Sequence, residues 1–203
     1  NKMARSAHVD PYTLYSKRNT GLKINHDYAK WTRKAFQAIG VAHDLQTVAL
    51  GGKVLLLGTD AFVEGGEHEL ELRVLGRVVD AARTKGLDCV MKPHPRAADG
   101  ARYDALGIQV VDWGNVPAEA AIAVSRQKPA AIVGPCSSTE MLAKELWEIP
   151  CFSLTDLLKE EQENYPSSVL LKAFLASCNR FEVSLPKCFL PWARFLSMDF
   201  ANR

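Results

Sequence analysis

Lys53-Val54-Leu55-Leu56-Leu57-Gly58-Thr59 is the stretch on which the fold of this chain turns. Four consecutive apolar residues with no polar alternation describe a strand buried on both faces, and Gly-Thr closes it with a turn. Such strands belong to parallel sheets covered by helices on each side. Outward from it the pattern repeats. A helix is expected over residues 66–85, with Leu70, Val74, Val78 and Ala82 on one stripe and Gly86 as its stop. Further strands read as Cys89-Val90-Met91, Gln109-Val110-Val111, Ala130-Ala131-Ile132-Val133 and Cys151-Phe152-Ser153. Helices are expected from about Pro117 and over residues 138–146. The implied class is α/β: a Rossmann-like parallel sheet with helices on both faces, plus an N-terminal helical arm.

The arm is residues 1–52, basic and partly helical, its helix expected over residues 27–39 on the spacing of Tyr28, Trp31, Ala35 and Ile39. Residues 53–203 form the main domain. In its tail, residues 167–178 read as helical and 180–185 as extended. Residues 189–200 read as a short aromatic-rich amphipathic segment that packs on protein rather than on a membrane.

The 203 residues, 47% hydrophobic and 24% charged, suit one globular domain and argue against widespread disorder. A net charge of +2 is too small to imply a nucleic-acid partner. Its distribution is uneven: Lys2, Arg5, Lys17, Arg18, Lys23, Lys30, Arg33 and Lys34 crowd the arm, against Asp10, Asp27 and Asp44. A solvated helix face is the plainer account, and an anionic acceptor or peripheral contact with a membrane surface is the alternative. Five cysteines, odd in number and without C-x-x-C spacing, read as buried free thiols rather than metal ligands or disulfides. With no run of eighteen apolar residues and no signal-peptide core, a cytoplasmic location is expected. The chain opens on Asn1 rather than Met and reads as part of a longer protein.

Ligands of open parallel sheets bind beyond the carboxyl ends of the strands, where strand order reverses. Four polar elements fall on that edge: Gly58-Thr59, Lys92-Pro93-His94-Pro95-Arg96, Pro117-Ala118-Glu119 and Gly134-Pro135-Cys136-Ser137-Ser138-Thr139. Prolines on both sides stiffen the loop that presents the His94 imidazole, which can donate to a phosphate or to a leaving group. Lys92 and Arg96 add positive potential there. Ser137 and Ser138 open a helix whose free N–H groups favour anions. Glu119 could accept ribose hydroxyls, and Gly58 would let backbone approach a ligand. Each has a plainer account: a strand-end histidine, a Ser137/Glu140 capping box, a carboxylate favoured by the helix dipole, a turn glycine.

Together these motifs resemble the donor-binding half of the bacterial GT-B sialyltransferases and polysialyltransferases, which share a His-Pro motif, a Ser-Ser/Thr motif and a glutamate between them. The likeness spans residues 54–154. It implies that His94 contacts the phosphate of CMP and assists its departure, that Ser137 and Ser138 hold phosphate oxygens, and that Glu119 binds the ribose. Gly58, Thr59, Lys92, Pro95 and Thr139 complete the implied nucleotide contacts. The implied reaction is inverting, metal-independent transfer of sialic acid from CMP-sialic acid to a glycan acceptor, without a cofactor, at the inner face of a bacterial membrane. The early basic cluster suggests an anionic acceptor. The family's general base lies in an acidic-acidic-glycine motif of its N-terminal domain, and no such motif occurs here. Glu64-Gly65-Gly66 is a faint echo out of place. The chain therefore reads as a donor domain missing its N-terminal partner and inactive by itself. Two alternatives remain: a CDP-glycerol glycerophosphotransferase-like enzyme, and a non-catalytic Rossmann-like interaction module.

Overall fold

The apolar runs form five parallel strands, β1 (Val54–Leu57), β2 (Cys89–Lys92), β3 (Gln109–Val110), β4 (Ala131–Gly134) and β5 (Cys151–Ser153), in the order β3-β2-β1-β4-β5. The computed structural model describes residues 26–45, 49–59, 68–96, 100–135, 137–165, 168–184 and 189–200. The helices are α1 (His26–Ala42), α2 (His68–Thr84), α3 (Ala118–Val124), α4 (Ser138–Trp147), α5 (Thr155–Asn164), α6 (Val169–Ser184) and α7 (Trp192–Ser197), with a 3-10 helix at Gly100–Leu106.

Alternating side chains along each strand feed two cores. Val54, Leu56, Met91, Val133 and Phe152 face α2, the 3-10 helix, α5, α6 and α7. Leu55, Leu57, Val90, Ile132 and Cys151 face α3 and α4. Each fully buried Leu or Ile contributes roughly 1.5–3 kcal/mol of transfer free energy, which is why these short strands need no polar face. Only β3, one of the two edge strands, departs from full burial, with Gln109 exposed; the other edge strand, β5, is bridged by Leu190 and stays buried.

The α2 stripe Leu70, Val74, Val78 and Ala82 is buried as its spacing requires. Glu69 and Glu71 sit in the first turn and Arg83 in the last, matching the helix dipole, and Gly86 ends the segment at φ 68°. The tail aromatics pack on protein: Trp192 stacks on Phe195 with centroids 4.7 Å apart, and Phe195 meets Phe152 edge-on at 5.2 Å. Cys89, Cys151 and Cys178 are buried, and burial pushes the Cys89 thiol up to about 11. Cys136 and Cys188 lie outside the described residues. No described helix is long and apolar enough to cross a membrane.

Three local expectations change. Residues 180–184 are not extended but continue α6, since neither Gly nor Pro interrupts the sequence from Val169 to Ser184. Helix α5 was not foreseen, although Leu154, Leu157, Leu158 and Glu161 follow helical spacing and are buried. On α1 the stripe that marks the helix faces outward: Tyr28, Trp31 and Ile39 are exposed, while Ala29 and Gly40 are buried. An alanine Cβ at Gly40 would lie 2.5 Å from the Ala120 carbonyl oxygen, so α1 rests directly on α3.

Candidate nucleotide site at the carboxyl edge

Register brings the candidate residues to one level. Leu57 pairs with Lys92, and Leu56 with Val133, so Gly58, Pro93 and Pro135 leave the sheet at the same edge. The chain runs from β1 out to β2 and β3, then returns across to β4, so the reversal of strand order falls between β1 and β4.

Three motif elements meet there. Glu119, in the first turn of α3 and 4% exposed, hydrogen-bonds the Thr139 side chain at the start of α4 and feels the charge of Lys92 at the end of β2. Burial raises the Glu119 carboxyl above the ordinary range; its own backbone N–H, the Thr139 hydroxyl and the Lys92 ammonium pull it back in part. Lys92, 6% exposed, is lowered by burial, with Glu119 and Asp112 opposing. Its Nζ donates to the Pro93 carbonyl at 3.3 Å. Two ionisable groups of opposite sign and low exposure thus influence each other at the mouth of the sheet.

His94 is half-buried, and its Nδ1 accepts the Arg96 backbone N–H at 3.2 Å. A nitrogen that accepts carries no proton, so the neutral ring keeps its hydrogen on Nε2. Pro95 is exposed in the turn that follows. Gly58 abuts this loop: a Cβ added to it would stand 2.6 Å from the Tyr103 Oη, 2.8 Å from the Met91 Cε and 3.2 Å from the His94 backbone nitrogen. Packing accounts for this glycine without a ligand.

At the head of α4, the Ser137 N–H donates to the Glu140 carboxylate at 2.7 Å, the reciprocal half of the capping box. The Ser137 hydroxyl faces the other half without a well-formed bond, so Oγ is buried with no hydrogen-bond partner. Ser138 is exposed and Thr139 half-buried. The cap and a polar group open to a ligand therefore coexist.

Thr59 belongs to a different network, which the sequence did not reveal. Its N–H donates to Glu71 at 2.9 Å, and its carbonyl accepts from Arg102 at 3.2 Å. Arg102 pairs with Glu71 at 2.9 Å and donates to the Tyr103 hydroxyl, which itself reaches both Glu71 oxygens at 3.1 Å. Burial, and then the Glu71 charge, raise the Tyr103 phenol. Glu71 in a first helical turn looked like an ordinary dipole partner, and residues 100–106 carry no periodicity that would have marked them.

A cavity of about 10 Å³ lies at this edge between Leu57, Thr59, Glu71, Val74, Pro135, Leu154 and Leu158. A larger one, about 210 Å³, opens at the opposite edge beside Lys53, Arg83, Asp88 and Gln109. Arg83 there already donates to the Leu106 and Gly107 carbonyls, and Lys53 to Gln109, so its polar groups are engaged internally. Among the described residues no group of His, Cys, Asp or Glu could hold a metal ion. Glu64-Gly65-Gly66 lies outside them. No family model, no curated protein and no solved structure matches the chain.

Proposed function

We propose that the carboxyl edge is the site for a nucleoside-monophosphate-linked donor, and that the chain is the donor-binding part of a sialyltransferase-like glycosyltransferase. The observation that carries this reading is the meeting of Lys92, Glu119 and Thr139, from three separate segments, at the edge where strand order reverses. Buried charge of this kind at a strand-end cleft is costly and is commonly kept for function. The His94 Nε2–H donates to the departing phosphate. Ser137, Ser138 and the first N–H groups of α4 receive its oxygens. Lys92 supplies positive potential beneath them, and the Glu119 carboxylate takes the ribose hydroxyls after exchanging its Thr139 partner. Catalysis requires a general base from a further acceptor-binding domain, and the acceptor is a glycan.

Calorimetric titration with CMP tests the reading. CMP binds the wild type and raises its melting temperature, and both effects vanish in His94→Ala and Thr139→Val variants that remain folded. A folded wild type indifferent to CMP refutes the proposal and leaves a Rossmann-like interaction module, whose capping box and Gly58 packing need no ligand. Preference for CDP-glycerol over CMP-sialic acid would instead assign a glycerophosphotransferase donor.

A further inference from the structure

The turn that follows β1 is gripped by a charged pair. Glu71, in the first turn of α2, accepts the Thr59 N–H at 2.9 Å, and Arg102, in the 3-10 helix, donates to the Thr59 carbonyl at 3.2 Å. The two side chains pair at 2.9 Å and are 4% and 12% exposed. Stability alone does not call for such a pair, since apolar side chains of like volume would hold α2 to the 3-10 helix as well. The Arg102 Nε is moreover buried with no hydrogen-bond partner, which subtracts from whatever stability the pair supplies. What apolar side chains could not do is hold the N–H and the carbonyl of one residue at once. The grip reaches the nucleotide edge through Gly58. Its N–H donates to the Lys92 carbonyl at 3.0 Å, and a Cβ on it would stand 3.2 Å from the His94 nitrogen, so the His94 loop rests on this turn.

We propose that Glu71 and Arg102 are positioning residues of the nucleotide site: by clamping both main-chain groups of Thr59 they hold Gly58 against the His94 loop and so set the imidazole. The ligand in this inference rests on the nucleotide reading of the edge, and the geometry does not. Released from the clamp, the turn moves, and the ring loses the orientation in which Nδ1 accepts from Arg96 and Nε2 faces a phosphate. Tyr103 is the internal control. Its hydroxyl bonds Glu71 and Arg102, but their bonds to Thr59 do not pass through it.

Imidazole 15N spectra and CMP titration of the wild type, Arg102→Met and Tyr103→Phe test the proposal. The spectra are recorded without ligand, about two pH units above the ordinary histidine value, so that the ring is neutral. In the wild type and Tyr103→Phe the His94 Nδ1 and Nε2 signals are well separated, as one tautomer requires. In Arg102→Met they move toward an averaged position. CMP affinity falls about tenfold in Arg102→Met, as for one misaimed charge-assisted hydrogen bond, and stays within about twofold of wild type in Tyr103→Phe. Should Arg102→Met not fold, Glu71→Gln/Arg102→Met takes its place, because it leaves no charge of the pair unmatched. Wild-type spectra in the folded clamp variant, or equal changes in it and in Tyr103→Phe, overturn the inference. So does a displaced ring with unchanged CMP affinity. A wild type that ignores CMP removes the nucleotide reading instead, and the ring spectra alone then decide the clamp.

Discussion

Replacing Gly58 with alanine separates packing from ligand binding at the first strand end. The new Cβ falls 2.6 Å from the Tyr103 Oη and 2.8 Å from the Met91 Cε, both well inside van der Waals contact. The Met91 methyl ends a flexible side chain and can turn away, but the Tyr103 hydroxyl is held by Glu71 and Arg102. Overpacking of this kind costs about 1–3 kcal/mol. For a domain of this size that lowers the melting temperature by roughly 2–4 °C per kcal/mol. Tyr103→Phe removes the obstructing oxygen at the expense of its bonds to a buried carboxylate, about 1.5–3 kcal/mol. In Gly58→Ala/Tyr103→Phe the contact with the held hydroxyl is gone, so the double variant is more stable than the sum of the singles by at least about 0.5 kcal/mol. Urea denaturation of the four proteins measures this coupling. Strict additivity would refute the close approach of Gly58 and Tyr103. The same four proteins titrated with CMP then ask a second question. If Gly58 also admits a nucleotide, both proteins carrying Gly58→Ala lose affinity while Tyr103→Phe alone keeps it.

Two more outcomes follow from buried charge. Because the folded chain holds the Glu119 proton more tightly than the unfolded chain, ionisation reduces stability as pH rises from the ordinary carboxylate value through the raised one. Glu119→Gln cannot ionise, so its stability relative to wild type should improve as pH rises above the ordinary carboxylate value in paired thermal melts; a pH-independent difference would contradict the burial argument. Either Glu71→Gln or Arg102→Met breaks a pair whose side chains are 4% and 12% exposed, at a cost of about 3–5 kcal/mol. The double variant should lose less than the sum of the two, and equality would mean that the pair does not interact.

How much was legible depended on the distance over which each interaction acts. Helix α2 could be read because its buried stripe recurs every turn and Gly86 stops it, and β1, β2, β4 and β5 because burial on both faces leaves uninterrupted apolar runs. The edge of the sheet that carries His94, Glu119 and Ser137 was also legible, since parallel strands all end on the same side. On α1 the spacing of Tyr28, Trp31 and Ile39 announced a helix but not its orientation: small Ala29 and Gly40 allow α3 to approach, and small residues carry little weight in a hydrophobic pattern.

Local periodicity therefore determined the class of fold, the edge and most helix positions, because backbone geometry repeats over a few residues. Tertiary structure alone decided that Glu119, Thr139 and Lys92 meet, that Glu71, Arg102 and Tyr103 hold Thr59, and that α1 turns its aromatics outward. Those facts depend on register and helix docking between segments distant along the chain, and no local pattern encodes the facing of two surfaces.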